Sequence, residues 1–282
     1  MKYAAAITLY NPTQDYIDNL LGYTKCFPLV IVNDNSAENS HYKDQIDNVD
    51  GIVYRWDGEN HGLPDAFNES LMICEGKDID YLCTLDQDSK LSADSIRAIE
   101  KYIESNDMSL VGIVAPHPIA IDSEPEKADT SMTKEVAWVI CSGAFLNVKL
   151  LKERGIEYDG AYFVDRFDAD ICMQVSRSGL KQLLLEGVEM PHACGDENGH
   201  SPLRNYYIFR NRFYYNDKYY GKISSQCRSL LQTTRQCWTL LFRREDGLRK
   251  IKMLPIAIKD YYNGKMGKIS DVSLMKVKAI CQ

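Results

Sequence analysis

Short apolar runs that each end in a polar or acidic cluster, with helix-period segments between them, limit this chain to a largely parallel sheet flanked by helices. Ala4 to Leu9 is one such run and stops at the turn signal Asn11-Pro12. Tyr16, Ile17, Leu20 and Leu21 then share one helical face. Pro28 to Val32 forms a second run, ending in Asn33-Asp34-Asn35-Ser36, and Gly51 to Arg55 a third. Leu63, Phe67 and Leu71 recur every four residues and predict a helix. Tyr81 to Leu85 is a fourth strand that runs straight into Asp86-Gln87-Asp88, and Ser92 is placed to cap a helix turning Ile96, Ile99 and Ile103 inward. In such sheets ligands bind beyond the carboxyl ends of the strands, where Asp34 and Asp86-Gln87-Asp88 fall.

With 282 residues, 45% of them apolar and 26% charged, the chain has enough material for one large domain or a domain with an appendage. The longest apolar stretch, Val136 to Leu146, is broken by Cys141, Ser142 and Gly143 and falls short of the roughly 18 residues that span a bilayer. Met1 to Ile7 lacks the length and cleavage pattern of a signal peptide and suits a buried strand, so a cytoplasmic protein is expected. Nine scattered cysteines with no C-x-x-C spacing agree with reduced, mostly buried thiols. The net charge of -7 hides a split: residues 204–282 hold 17 Lys and Arg against 5 Asp and Glu, or +12, and the rest holds 16 against 35, or -19. An acidic body argues against nucleic acid as the ligand, while a basic tail suits an anionic surface.

Five segments carry chemistry. Asp86 and Asp88 repel one another unless a cation offsets them, and Mg²⁺ or Mn²⁺ prefers such oxygen ligands; a solvated acidic turn is the other reading. Gly62, in Asn60-His61-Gly62, lets the backbone approach a ligand at a helix start, with Asn68 on the first turns; a turn capped by Asn60 is the alternative. Asp165, Asp168 and Asp170 follow an aromatic pair, and a carboxylate suits a base that deprotonates a hydroxyl; each also suits a helix N-terminus. His192 follows an expected strand from Gln182 to Leu185 and a turn, and either completes a metal site with Asp88 or serves structure alone. Arg204 to Tyr215 interleaves arginines with aromatics, which suits phosphate and sugar-ring contacts or an amphipathic helix with a tyrosine-rich buried face; no RNA-binding motif accompanies it.

The order of these segments resembles the family 2 inverting glycosyltransferases of GT-A fold, and within them the bacterial rhamnosyltransferase-like branch. The resemblance runs from Ala5-Ala6-Ile7-Thr8-Leu9-Tyr10-Asn11-Pro12 through Val32-Asn33-Asp34-Asn35-Ser36, Asn60-His61-Gly62-Leu63 with Ala66 and Asn68, and Leu85-Asp86-Gln87-Asp88-Ser89. It continues through Ser142-Gly143-Ala144-Phe145, Phe163 to Cys172, His192-Ala193-Cys194-Gly195 and Ser201-Pro202-Leu203-Arg204 to Asn211, covering about residues 4 to 215. Three positions depart from the family pattern: Phe167 replaces an acidic residue, Asp170 a glutamate and Gln174 an arginine.

The resemblance implies a GT-A α/β domain over residues 1–200, a mixed sheet flanked by helices, and a basic, mostly helical extension over 201–282. It implies a donor nucleotide held by Thr8, Tyr10, Asp34, Asn35, Asn60, Gly62, Asn68, Asp86 and Gln87. Donor sugar and acceptor would meet Ser142, Gly143, Arg204 and Arg210. Asp86, Asp88 and His192 would hold the divalent cation, and Asp168 would be the base, with Asp170 and Asp165 as alternatives. The expected activity is inverting transfer of a sugar, L-rhamnose from dTDP-rhamnose by branch, to a saccharide or lipid-linked acceptor in bacterial surface polysaccharide synthesis. A UDP-hexose or UDP-galactofuranose transferase, or an inactive carbohydrate-binding relative, is the alternative. A nucleotidyltransferase is disfavoured because Leu9-Tyr10-Asn11-Pro12-Thr13 lacks a glycine-rich, basic phosphate loop. In the tail, Ile223, Cys227, Leu230, Leu231, Thr234, Trp238, Leu241 and Phe242 follow helical spacing, with Lys222, Arg228, Arg235, Arg243 and Arg244 around them. That pattern suits a helix on an anionic membrane surface, at the inner face of the plasma membrane, or a stripe packed on the catalytic domain or a second subunit.

Overall fold

A computed structural model describes residues 1–37, 42–126, 128–192, 201–243 and 246–281. The signals at Ala193-Cys194-Gly195 and at Arg244 lie outside the described residues. The chain divides into two compact units, Met1–Tyr158 with Asp168–Cys194, and Asp159–Phe167 with Gly195–Gln282.

The first unit holds β1 (Tyr3–Leu9), α1 (Gln14–Tyr23), β2 (Val30–Asp34), α2 (Lys43–Asp47), β3 (Ile52–Arg55), α3 (Gly62–Gly76), β4 (Tyr81–Asp86) and α4 (Ala93–Ser105). It continues with β5 (Val111–Ala120), β6 (Asp129–Val136), β7 (Ala144–Asn147), α5 (Val148–Glu153), α6 (Phe167–Arg177) and β8 (Lys181–His192). The strands form an eight-stranded mixed sheet in the order β3-β2-β1-β4-β7-β5-β8-β6. β1 to β4 are mutually parallel, whereas β7 runs antiparallel to β4 and β5.

Both faces of the central strands are covered, so every residue of β1 and β2 is buried and their sequences read as apolar runs that turn polar only near the edge, at Thr8 and at Asn33-Asp34. α4 begins as its sequence predicts: the Ser92 hydroxyl accepts from the Ser95 N–H at 3.0 Å, and Ile96, Ile99 and Ile103 enter the core. β8 differs from expectation. The strand does not end at Leu185 but continues to His192, its pairing with β5 jumping from Leu185 opposite Pro116 to Glu189 opposite His117. Pro116 and Pro118 donate no ladder hydrogen bond, and a bulge absorbs the irregularity.

The second unit contains α7 (Pro202–Tyr219), α8 (Lys222–Arg243), α9 (Gly247–Ile251), α10 (Leu254–Tyr262) and α11 (Asp271–Cys281). Tyr206, Tyr207 and Phe209 on α7 pack with Leu240, Met253, Ala257, Ile269 and Val277. Residues 159–167 group here rather than with the body, unlike a single boundary at residue 200. The reason is aromatic packing: Phe163 stacks on Tyr207 with ring centres 5.3 Å apart, and Tyr162 meets Tyr214 edge-on at 5.2 Å.

One glycine is indispensable to the sheet. Gly143 turns the chain into β7 at φ +76°, donating to the Thr84 carbonyl at 2.7 Å. A Cβ there would lie 2.6 Å from Met190 Sδ and 2.9 Å from Pro116 Cγ. Gly143→Ala therefore adds a left-handed backbone penalty to overpacking, and we expect a loss of about 2–4 kcal/mol in denaturant unfolding.

Candidate functional site

The register of three strands assembles the edge. Thr8 of β1 lies opposite Asn33 of β2 and Asp86 of β4, and Leu9 lies opposite Asp34. Thr8 is buried, and its hydroxyl has no hydrogen-bond partner among the described residues. The buried Asp34 carboxylate accepts from the Ser36 N–H at 3.0 Å and from the Tyr54 hydroxyl at 2.7 Å. Burial, and then that bond, raises the Tyr54 phenol above its ordinary range, keeping it a donor. Asn35 donates its amide to the Gly62 carbonyl at 3.1 Å and accepts from the His61 N–H at 3.3 Å. Gly62 enters α3 at φ +84°, its N–H capped by the Asn60 side chain at 2.9 Å. The Asn68 amide is engaged by the backbone of Tyr158, donating at 2.7 Å and accepting at 2.8 Å, and so fixes that segment against α3. Gln87 clamps the exposed Tyr10 by its backbone, accepting from its N–H at 2.9 Å.

Beyond the ends of β2 and β3, at the start of α3, lies a polar hollow of about 460 Å³. Asp34 and Asn35 line it, as do Tyr54, Trp56 and His61, which sequence reasoning did not single out. Trp56 donates its indole N–H to the Ser36 carbonyl at 3.0 Å, so two aromatics brace the 34–36 loop. Only the aromatic residues closing the third strand signalled this. The volume suits a small organic ligand, and the lining offers hydrogen bonds and ring faces.

The structure brings together Asp86, Asp88 and His192. One ligand atom from each lies within 4.8 Å of the others. Two carboxylate oxygens and an imidazole nitrogen are a donor set that fits Mg²⁺ or Mn²⁺. Ser89 stabilises the Asp86 turn, its hydroxyl accepting from the Asp86 N–H at 2.9 Å and bonding the buried Ser142 hydroxyl. Asp168 lies in the first turn of α6, half-buried, with one oxygen accepting from the Ala169 N–H at 2.7 Å. Burial, and then the charges of Asp86 and Asp168, push the Cys141 thiol well up. Asp170 is fully buried and accepts from Gln174 at 2.8 Å.

Asp165, Arg204 and Arg210 belong to the second unit. Asp165 pairs with Arg204, Nη2 to Oδ1 at 3.0 Å. Arg210, expected at sugar or acceptor, is instead wholly buried. Its guanidinium donates to the carbonyls of Lys265, Ala161 and Tyr162 at 3.3–3.4 Å and lies 5.0 Å from the Tyr207 ring centre. Phe163, Asp165 and Arg166 all adopt positive φ, of 66°, 58° and 69°. Such left-handed non-glycine residues cost on the order of 1–3 kcal/mol each and persist only where the surroundings fix them. The buried Asn211 does so, its amide donating to the carbonyls of Tyr162 at 3.0 Å, Val164 at 2.6 Å and Asp165 at 3.0 Å. Asn211→Ala removes this donor from the Val164 and Asp165 carbonyls, while Arg210 still serves that of Tyr162, a loss of about 1–3 kcal/mol. We expect roughly five- to 150-fold faster amide exchange across residues 162–166 by mass spectrometry.

Residues 11–172 match the family described as Glycosyl transferase family 2. The dTDP-rhamnosyl transferase RfbF of Shigella flexneri is 24% identical over 241 residues, covering 74% of this chain and 78% of RfbF. The crystal structure of S. aureus TarS 1–349 in complex with UDP-GlcNAc superposes with a TM-score of 0.58 at 12% identity, covering 96% of this chain and 94% of that one. The structure of GalNAc-T7 with UDP, GalNAc and Mn²⁺ gives a TM-score of 0.52 at 14% identity, over 68% of this chain and 44% of that one. The mixed sheet has the GT-A arrangement, the family match covers more than half of the sequence, and the chain belongs to glycosyl transferase family 2.

Proposed function

We propose that this glycosyltransferase moves L-rhamnose from dTDP-rhamnose to a saccharide or lipid-linked acceptor in bacterial surface polysaccharide synthesis, with inversion at the anomeric carbon. The observation that carries the reading is the convergence of Asp86, Asp88 and His192 beside the strand edge that holds Thr8 and Asp34. Likeness to RfbF supports rhamnose as the sugar.

In this reading the nucleoside enters the hollow at Asp34, with Thr8, Tyr10, Asn35, Asn60, Gly62, Asn68, Asp86 and Gln87 holding or shaping its site. Ser142 and Gly143 border the donor sugar, and Arg204 the sugar or acceptor. Asp86, Asp88 and His192 would hold Mg²⁺ or Mn²⁺, which supplies positive charge for the departing diphosphate. Asp168 is the base. It takes the proton of the acceptor hydroxyl as that oxygen bonds to the anomeric carbon, and the bond from that carbon to the diphosphate breaks on the opposite face. The partial exposure of Asp168 supports this choice over the alternatives, the buried Asp170 and the Arg204-paired Asp165. Among the described residues no helix is long and apolar enough to cross a membrane. The basic second unit supports peripheral contact with an anionic membrane from the cytoplasmic side.

Calorimetry with dTDP and UDP, each with and without Mn²⁺, tests the donor site. We expect Mn²⁺-dependent binding that favours dTDP, and at least tenfold weaker metal binding in Asp88→Asn. A preference for UDP would replace rhamnose with a hexose or galactofuranose, and no binding by folded protein would leave an inactive carbohydrate-binding relative. For the base, Asp168→Asn should bind nucleotide like the parent yet lose at least 100-fold in transfer rate, the lower range of general-base catalysis. Unchanged turnover would remove Asp168 from the mechanism.

A further inference from the structure

α8 is built inside out. At about 100° per residue, Ile223, Cys227, Leu230, Leu231, Trp238 and Phe242 fall within an arc roughly 120° wide. A helix on a globular unit ordinarily turns such a stripe to the core. Here the stripe faces outward: Ile223 is 81% exposed, Leu230 67%, Leu231 72%, Trp238 66% and Phe242 66%. The face that packs on α7 is mostly polar. Ser225 donates to Asp217 at 2.5 Å, and Asn216 donates to Ser229 at 2.9 Å. Arg212 donates to Thr233 at 3.1 Å and to Gln236, and Gln236 donates to Asn205 at 3.2 Å. Arg212 is buried in this seam, and burial pushes its guanidinium down to about 10, still charged at neutral pH. Hydrogen bonds, together with the buried Leu240, thus retain the helix without consuming the outward stripe.

Charge selects the occupant of that face. Arg228 and Arg235 border one edge of the stripe, and Lys222 stands at its start, all exposed. The Arg228 guanidinium lies 4.1 Å from the Tyr220 ring centre, and Trp238 and Phe242 pair with ring centres 4.5 Å apart. Two copies meeting through this face would bring like charges together within a segment that carries +12. An anionic lipid surface offers the opposite charge, an apolar layer for the stripe and a boundary where tryptophan and arginine settle.

We propose that α8 lies in the plane of an anionic bilayer, its Ile223–Phe242 stripe inserted at the headgroup boundary and its polar face kept on α7. This deepens the membrane contact in the function proposed above, on which it rests, by assigning the element that makes it.

The test is co-sedimentation of the full chain with phosphatidylglycerol/phosphatidylcholine vesicles and with phosphatidylcholine alone, comparing the parent with the double variant Leu230→Ser/Leu231→Ser. Thermal melting checks that the variant folds, which the exposure of both leucines favours. We expect binding to the anionic vesicles only, at least tenfold weaker in the variant, with tryptophan quenching by brominated lipid that Trp238→Tyr reduces. Equal binding by parent and double variant overturns the assignment to α8 while leaving the membrane contact standing. No vesicle binding by the parent at low salt overturns both. A parent dimer by light scattering that the double variant converts to monomer overturns the proposal in favour of a contact between copies.

Discussion

Register along β1 is the constraint from which the candidate site follows. The strand is buried from end to end and hydrogen-bonds to β2 on one side and β4 on the other. A sheet buried on both faces tolerates little slip, because a shift by one residue exchanges every side chain between faces. Pairing of Thr8 with Asn33 and Asp86 therefore fixes where Asp34 emerges and where the chain passes from strand into Asp86-Gln87-Asp88. The apolar runs far from the edge are thus part of the site, since they set its dimensions.

What surrounds those strand ends is a set of polar braces. Tyr54 and Trp56 hold the 34–36 loop, Asn35 holds the start of α3, and Ser89 holds the turn between Asp86 and Asp88. Each replaces water with a fixed partner, so the oxygens that would meet a cation or nucleotide are oriented in advance, which is how binding sites limit the entropy lost on association.

Much of this was legible in the sequence, for local reasons. The unbroken run of β1, the four-residue period of α3, the Ser92 cap and the acidic cluster closing β4 each concern neighbours in the chain. β5 was obscured by Pro116 and Pro118, β6 by its polar edge pattern, and β7 by its four-residue length. The bracing of Asp34 by Tyr54 spans 20 residues, and that of Val164 by Asn211 spans 47, so no spacing rule reaches them. Periodicity described Arg210 and α8 but left their direction open. A helical stripe has a width in sequence, whereas the side it presents depends on what the neighbouring helix offers. α7 offers Asn205, Arg212 and Asn216 to α8, and polar side chains answer them.

The left-handed stretch at Phe163, Asp165 and Arg166 bears on what the side chains there must contribute. Glycine would adopt each of those conformations with less strain. An aromatic ring, a carboxylate and a guanidinium at three strained positions exchange backbone ease for what their side chains touch. Glycine at these positions would relax the backbone, but it would remove Phe163 from its stack on Tyr207 and Asp165 from its pair with Arg204. The segment therefore sets side-chain contacts against backbone strain, and glycine there would change both at once.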